Sequence, residues 1–148
     1  PDKTSTFMRN KEDIIKQINN RSPKFIEMLG GQLIDFDSDK TACTFEFNID
    51  KNFCHSIDIV QGGFVTAMLD AAMSHATFIC DQEILNVSSL EIKTSYLAPT
   101  RAGKLRVEGW VIKQSYKTAF MEGHLYNEDN ELTATASSVA KLLRTPKQ

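Results

Sequence analysis

In DIVQGGFVTAMLDAAMSHATFIC, residues 58–80, the only formally charged side chain after Asp58 is the carboxylate of Asp70. From about Gly63 to Cys80 this is the longest and most apolar periodic segment of the chain, and the pattern predicts a helix. At about 100° per residue, Val65, Leu69, Ala72, Ala76 and Ile79 form one apolar stripe. Asp70 and Ser74 share a different face, with Thr66 and Thr77 on the same side. A helix face open to water would carry several Lys, Glu or Arg residues, and this one carries none. Asp70 is therefore expected in shelter, where a carboxylate must be hydrogen-bonded, paired or kept for chemistry.

The run is long enough to raise a transmembrane span. Gly62 and Gly63 interrupt its start, Asp70 and His75 lie deep inside it, and Gln61, Thr66, Ser74 and Thr77 add polar groups that lipid would leave unsatisfied. We expect the buried helix of a globular domain, with no membrane partner.

Outward from this helix, the chain alternates short helices and strands. Asn10 is a candidate N-cap for a helix with Ile14, Ile15 and Ile18 on its apolar face. Ser22 and Pro23 offer a cap and first-turn pair before KFIEML, and Gly30 with Gly31 supplies the stop. QLIDFD, the turn SDK and TACTFEFNI read as a hairpin, with Cys43, Phe45 and Phe47 alternating with Thr44 and Glu46. After the central helix, LNVSSLEIKTSYLAP alternates Leu90, Ile92 and Thr94 with Glu91, Lys93 and Ser95 until Pro99. KLRVEGWVIKQ, KTAFMEGHLYN and ELTATASSVAKLL complete the strands. The expected architecture is α+β, a sheet of five or six antiparallel strands wrapped around one long helix. One domain spans residues 1–148, with a helical segment at 1–29 and the core at 30–143.

The chain has 148 residues and a formal net charge of −2, with neither acids nor bases in blocks. No bulk attraction to nucleic acid or anionic membrane follows, so small molecules and copies of itself are the expected partners. Cys43, Cys54 and Cys80 form no CxxC pair and leave an odd thiol, which suits reduced cysteines in a cytoplasmic protein. The stretch PDKTSTFMRNKED has no apolar signal-peptide core, so secretion is not expected. His75 and His124 stand in no HxxxH or HExxH spacing and are read as packed or surface residues, with no metal site.

Gly62 and Gly63 stand where the helix begins, and the first amides of a helix point outward unpaired. Backed by the helix dipole, such amides can hold an oxyanion, and glycine lets substrate approach the backbone. With Asp70 two turns on, an amide and a carboxylate are expected within reach of one reacting group, a geometry suited to acyl transfer.

QGGFVTAMLDAAMSHA resembles the HGG, several residues, LxD or LxE and small-residue run of the hotdog-fold thioesterases, in the branch similar to phenylacetic-acid-pathway and 4-hydroxybenzoyl-CoA thioesterases. SSLEIKTSYLAP resembles that family's strand ending in Tyr, an apolar residue, any residue and Pro. The resemblance covers residues 30–143 and implies a hotdog fold with a homodimer or dimer of dimers. Its sheets would join edge to edge and its active sites would lie at the subunit interface. By position it implies Asp70 as nucleophile or general base, Gly62 as the oxyanion amide, His55 as an orienting group, and Ser74 and Ser89 as supporting hydroxyls. Gln61, Gly63, Arg101 and Lys104 are the candidate substrate contacts, the last two toward coenzyme phosphates. The substrate would be an acyl-CoA or acyl-carrier thioester, coenzyme A entering as substrate and no cofactor being required.

Five residues at four sites depart from the family pattern. Gln61 replaces His, Asp58 replaces a frequent Gly, Ser115-Tyr116 replaces Gly-Arg, and Ala98 stands where Arg or Lys often precedes the proline. Two other readings remain at this level: a hotdog dehydratase pairing His55 with Asp70, and an acyl-CoA sensor without turnover. A cysteine hydrolase built on Cys54 and His55 is disfavoured, because adjacent side chains in extended chain point apart.

Overall fold

The structure is a computed structural model and describes residues 10–146. Asn10 caps the first helix, α1 (Lys11–Asn20), its side chain accepting from the Asp13 amide at 2.8 Å. The second, α2 (Lys24–Met28), differs from expectation at its start: Pro23 itself is the N-cap, and no side chain caps the helix. The chain then turns at Gly30, whose amide donates to the Glu27 carbonyl, into β1 (Gly31–Asp37) and β2 (Ala42–Ile49). Cys43, Phe45, Phe47 and Ile49 of β2 are buried as alternation requires.

A short 3-10 turn (Lys51–Phe53) and a loop lead to α3 (Gly62–Cys80). Then come β3 (Ile84–Tyr96), β4 (Gly103–Gln114), β5 (Thr118–Tyr126) and β6 (Leu132–Arg144). All six strands form one antiparallel sheet in the order β1-β2-β4-β5-β6-β3. The sheet curls around α3, which touches β2, β3, β4, β5 and β6, and the architecture is the α+β hotdog fold.

Burial of α3 is wider than one stripe. Met68, Ala71, Met73, His75 and Thr77 are buried along with Val65, Leu69, Ala72 and Ala76, because strands meet the helix on several sides. Among the described residues α3 is the one helix long and apolar enough to cross a bilayer, and the sheet wraps it instead. Its backbone lies directly on β4 at Gly109, where a Cβ would stand 2.5 Å from the Ala72 carbonyl carbon. Cys43, paired with Gly109 across the sheet, donates its thiol to the Ala72 carbonyl at 3.1 Å. Burial pushes the Cys43 thiol well above its ordinary range, so it stays protonated, and all three cysteines are free. His75 is packed between Phe45 and Phe78, whereas His124 stacks edge-on between Trp110 and Tyr126.

The two sheet edges differ. Along β1, the Asn19 side chain of α1 accepts from the Leu33 amide at 2.8 Å and donates to the Leu33 carbonyl at 2.9 Å, so a side-chain amide stands in for a neighbouring strand. Along β3, no strand covers the far side among the described residues, and Leu85 and Leu90 stand 60% and 65% exposed. Leu90 was expected on one face with Ile92 and Thr94. Instead it is the extra residue of a bulge, since Ser89 pairs with Ala140 and Glu91 with Val139.

Candidate active site

The amino end of α3 is organised by Gln61. Its side-chain Oε1 accepts from the Gly63 amide at 2.7 Å, while its carbonyl accepts from the amides of Phe64 and Val65 at 3.0 and 3.3 Å. Gly62 is thereby left with the one first-turn amide that has no acceptor among the described residues. It faces a cavity of about 600 Å³ lined mainly by apolar groups, with His55, Gly62, Val65, Tyr96 and Leu97 among them. His55 arrives on the loop before the helix, its amide held by the Ile59 carbonyl at 3.1 Å.

Asp70 is half-buried on the side of α3 that faces β3. Its Oδ1 accepts from Ser89 Oγ at 2.9 Å and, more weakly, from Ser74 Oγ at 3.4 Å. Oδ2 has no partner among the described residues. The bulge makes the Ser89 contact available: strict alternation would send Ser89 to the same face as Glu91 and Lys93, and the extra residue at Leu90 turns it toward the helix. The expected trio of Asp70, Ser74 and Ser89 is thus brought together.

Gly62 and Asp70 are not brought together within one chain. Eight residues of α-helix separate them, about 12 Å along the axis, whereas a reacting carbonyl must lie about 3 Å from each. The expectation that both reach one group therefore fails for a single subunit. Asp70 does not line the cavity that holds Gly62 and His55.

Arg101 and Lys104 also stand elsewhere. Arg101 pairs with Asp58 at 2.7 Å, and the Asp58 carbonyl takes the Ala102 amide at 2.7 Å, so this acid fastens the loop before α3 to the segment after β3. Lys104 lies 3.8 Å from Glu46, and its amide donates to Glu128. Both line a separate cavity of about 270 Å³. Each cation pairs with a carboxylate while its own side chain stays more than half exposed.

Sequence reading passed over Tyr96 as a site residue. Its hydroxyl lies 2.8 Å from the Gly62 carbonyl and 2.9 Å from Thr66 Oγ1, and its ring lines the cavity. The Tyr-x-x-Pro pattern was the available signal. No group of three or more His, Cys, Asp or Glu residues converges as metal ligands would, among the described residues.

Comparison with solved structures finds the same fold in several proteins. A phenylacetic acid degradation-related protein of Ralstonia eutropha matches with a TM-score of 0.78 and 23% identity over 89% of this chain and 99% of that one. A Haemophilus influenzae thioesterase matches with a TM-score of 0.78 and 18% identity over 94% of each chain. The PaaI protein of the E. coli phenylacetic acid degradation operon matches with a TM-score of 0.77 and 15% identity over 90% of this chain and 95% of its own. At these identities the likeness is one of fold. No curated protein sequence matches the chain. The sequence model of the thioesterase superfamily matches residues 58–134, more than half of the 148 residues, from the loop before α3 into β6. By that match over Gly62, Asp70 and the sheet around them, the chain belongs to the thioesterase superfamily.

Proposed function

We propose that this thioesterase-family chain hydrolyses acyl thioesters of coenzyme A or of an acyl carrier protein to a free acid and a thiol. Asp70 is the nucleophile or general base and the Gly62 amide the oxyanion donor. The observation that carries the reading is the state of Asp70: one oxygen is held by Ser89 and Ser74, and the other, beside the β3 edge, is without a partner among the described residues.

The thioester oxygen accepts from the Gly62 amide, which polarises the carbonyl and stabilises the charge that develops on attack. Asp70 either attacks the carbonyl carbon, expelling the thiolate and leaving a mixed anhydride that water opens, or takes a proton from water that attacks directly. Gln61 supports the step by occupying the Gly63 amide and leaving Gly62 open. His55, on the cavity wall, serves to orient the acyl group.

The active unit in this reading is a homodimer joined through β3. The β1 edge is covered by Asn19, while β3 offers exposed leucines and backbone unpaired among the described residues. A two-fold axis at that edge sets the two α3 helices antiparallel, so the amino end of one approaches the middle of the other. The 12 Å gap then closes between subunits, Gly62 of one serving with Asp70 of the other.

The test is a panel of acyl-CoAs assayed by thiol release with wild type and Asp70→Asn. Wild type is expected to hydrolyse at least one member, and Asp70→Asn to lose about 10²- to 10⁴-fold. Tight acyl-CoA binding without thiol release would make the protein a sensor, and hydration of an enoyl thioester would make it a dehydratase. Either result overturns the proposal.

A further inference from the structure

Tyr96 ends β3 at the cavity wall, with its ring lying on Gly62. A Cβ placed on Gly62 would stand 3.1 Å from both Cζ and the hydroxyl oxygen of Tyr96. The hydroxyl lies 2.8 Å from the Gly62 carbonyl and 2.9 Å from Thr66 Oγ1, which in turn lies 2.8 Å from Thr94 Oγ1. Donor inventory fixes the direction of this chain. The Gly62 carbonyl can only accept, so the single Tyr96 proton goes to it. Tyr96 oxygen then accepts from Thr66, and Thr66 oxygen accepts from Thr94. Each hydroxyl polarises the next, from Thr94 through Thr66 and Tyr96 to Gly62. Thr66 stands four residues past Gly62, where a helical threonine ordinarily turns its hydroxyl back to that carbonyl; here it donates to Tyr96.

Gly62 needs such restraint. Without a Cβ its backbone is freer than that of a residue with a side chain, yet its amide must keep one direction toward a developing oxyanion. The peptide before it is fixed from the Gln61 side. The Gln61 carbonyl is engaged by the Phe64 and Val65 amides, and a planar trans peptide sends the Gly62 N–H the opposite way, out of the helix. The peptide after it is fixed by Tyr96, through the Gly62 carbonyl. Both planes that flank the glycine are pinned, one by the helix and one by β3.

On the thioesterase reading above, we propose that Tyr96 is the positioning residue of the oxyanion amide, acting through the Gly62 carbonyl at the end of the hydroxyl chain from Thr94. Its effect belongs to the transition state, where the amide must meet the tetrahedral oxygen, and not to ground-state binding of the acyl group.

Steady-state kinetics of thiol release by the full chain, with an acyl-CoA it hydrolyses, tests this. Tyr96→Phe keeps the ring on Gly62 and removes the proton. Its kcat is expected to fall about 10-fold, with KM within about twofold and an unchanged melting temperature. Thr94→Val removes the first donor of the chain, and its kcat is expected to fall about threefold. An unchanged kcat in Tyr96→Phe overturns the assignment. So does a rise in KM alone, which marks a plain substrate contact. If Tyr96→Phe melts at a much lower temperature, Thr94→Val decides, and full kcat there overturns the proposal. Absence of thiol release from wild type brings down the thioesterase reading and this assignment with it, a result distinct from any difference between variants.

Discussion

Ser89 Oγ donates to Asp70 Oδ1 at 2.9 Å across the gap between β3 and α3, and it does so because the bulge at Leu90 turns it inward. The contact holds one carboxylate oxygen and so aims the other. In the proposed reaction that aim fixes either the line of attack or the place of the attacking water.

Ser89→Ala is therefore expected to lower kcat by about 10-fold, with a smaller change in KM, because the carboxylate loses its direction. Ser74→Ala, whose oxygen stands 3.4 Å away, should cost less than threefold. Thiol-release kinetics on the two variants orders them. A larger loss for Ser74 would contradict the assigned geometry.

Replacing Leu90 with Asp tests the open edge. The side chain is 65% exposed, so the change leaves the subunit's core intact while placing charges on both sides of a two-fold contact through β3. Sedimentation at micromolar concentration should show a dimer or larger for wild type and a monomer for the variant. Thiol release should fall with dimer content although Asp70 is untouched. A fully active monomer would sink the shared site.

The helix, the β1–β2 hairpin and the four later strands were legible because each carries its own period: apolar spacing for α3, alternation for Cys43, Phe45 and Phe47. Asp70 was legible as an isolated charge in an apolar run. The bulge was not, since alternation around Leu90 reads as regular and only pairing with Ala140 and Val139 exposes the extra residue. The Arg101–Asp58 pair joins residues far apart in the chain, where neither period nor spacing carries a signal, and the Tyr-x-x-Pro spacing marks Tyr96 without naming Gly62 as its partner. The gap between Gly62 and Asp70 was present in the sequence all along as eight residues of helical rise, and in the proposed reaction a second subunit closes it.

Gly109→Ala should destabilise the fold without touching the site. The added methyl would meet the Ala72 carbonyl carbon and the Met73 nitrogen at 2.5 Å, and these are helix backbone atoms that cannot rotate away. Overpacking of this kind costs about 1–3 kcal/mol, a drop of several degrees in melting temperature for a domain of this size. Differential scanning calorimetry checks it. An unchanged melting temperature would mean that α3 can lift off β4 freely.

His75 makes stability depend on acid. Burial between Phe45 and Phe78 pulls its pKa down to about 4, against which the hydrogen bond to the Ala71 carbonyl pulls weakly upward. The unfolded chain, with an ordinary imidazole, takes up its proton near pH 6.5, while the folded chain stays neutral there. Between those values the unfolded state binds more protons, so stability is full above about pH 6.5, declines as pH falls, and levels off below about 4. Urea unfolding at intervals from pH 7 to 4 should show this decline in wild type. His75→Leu, which cannot titrate, should show a shallower slope over the same window, by up to one proton. Equal slopes in the two proteins would mean that water reaches the His75 ring and that the helix is wrapped less tightly there than the sheet allows.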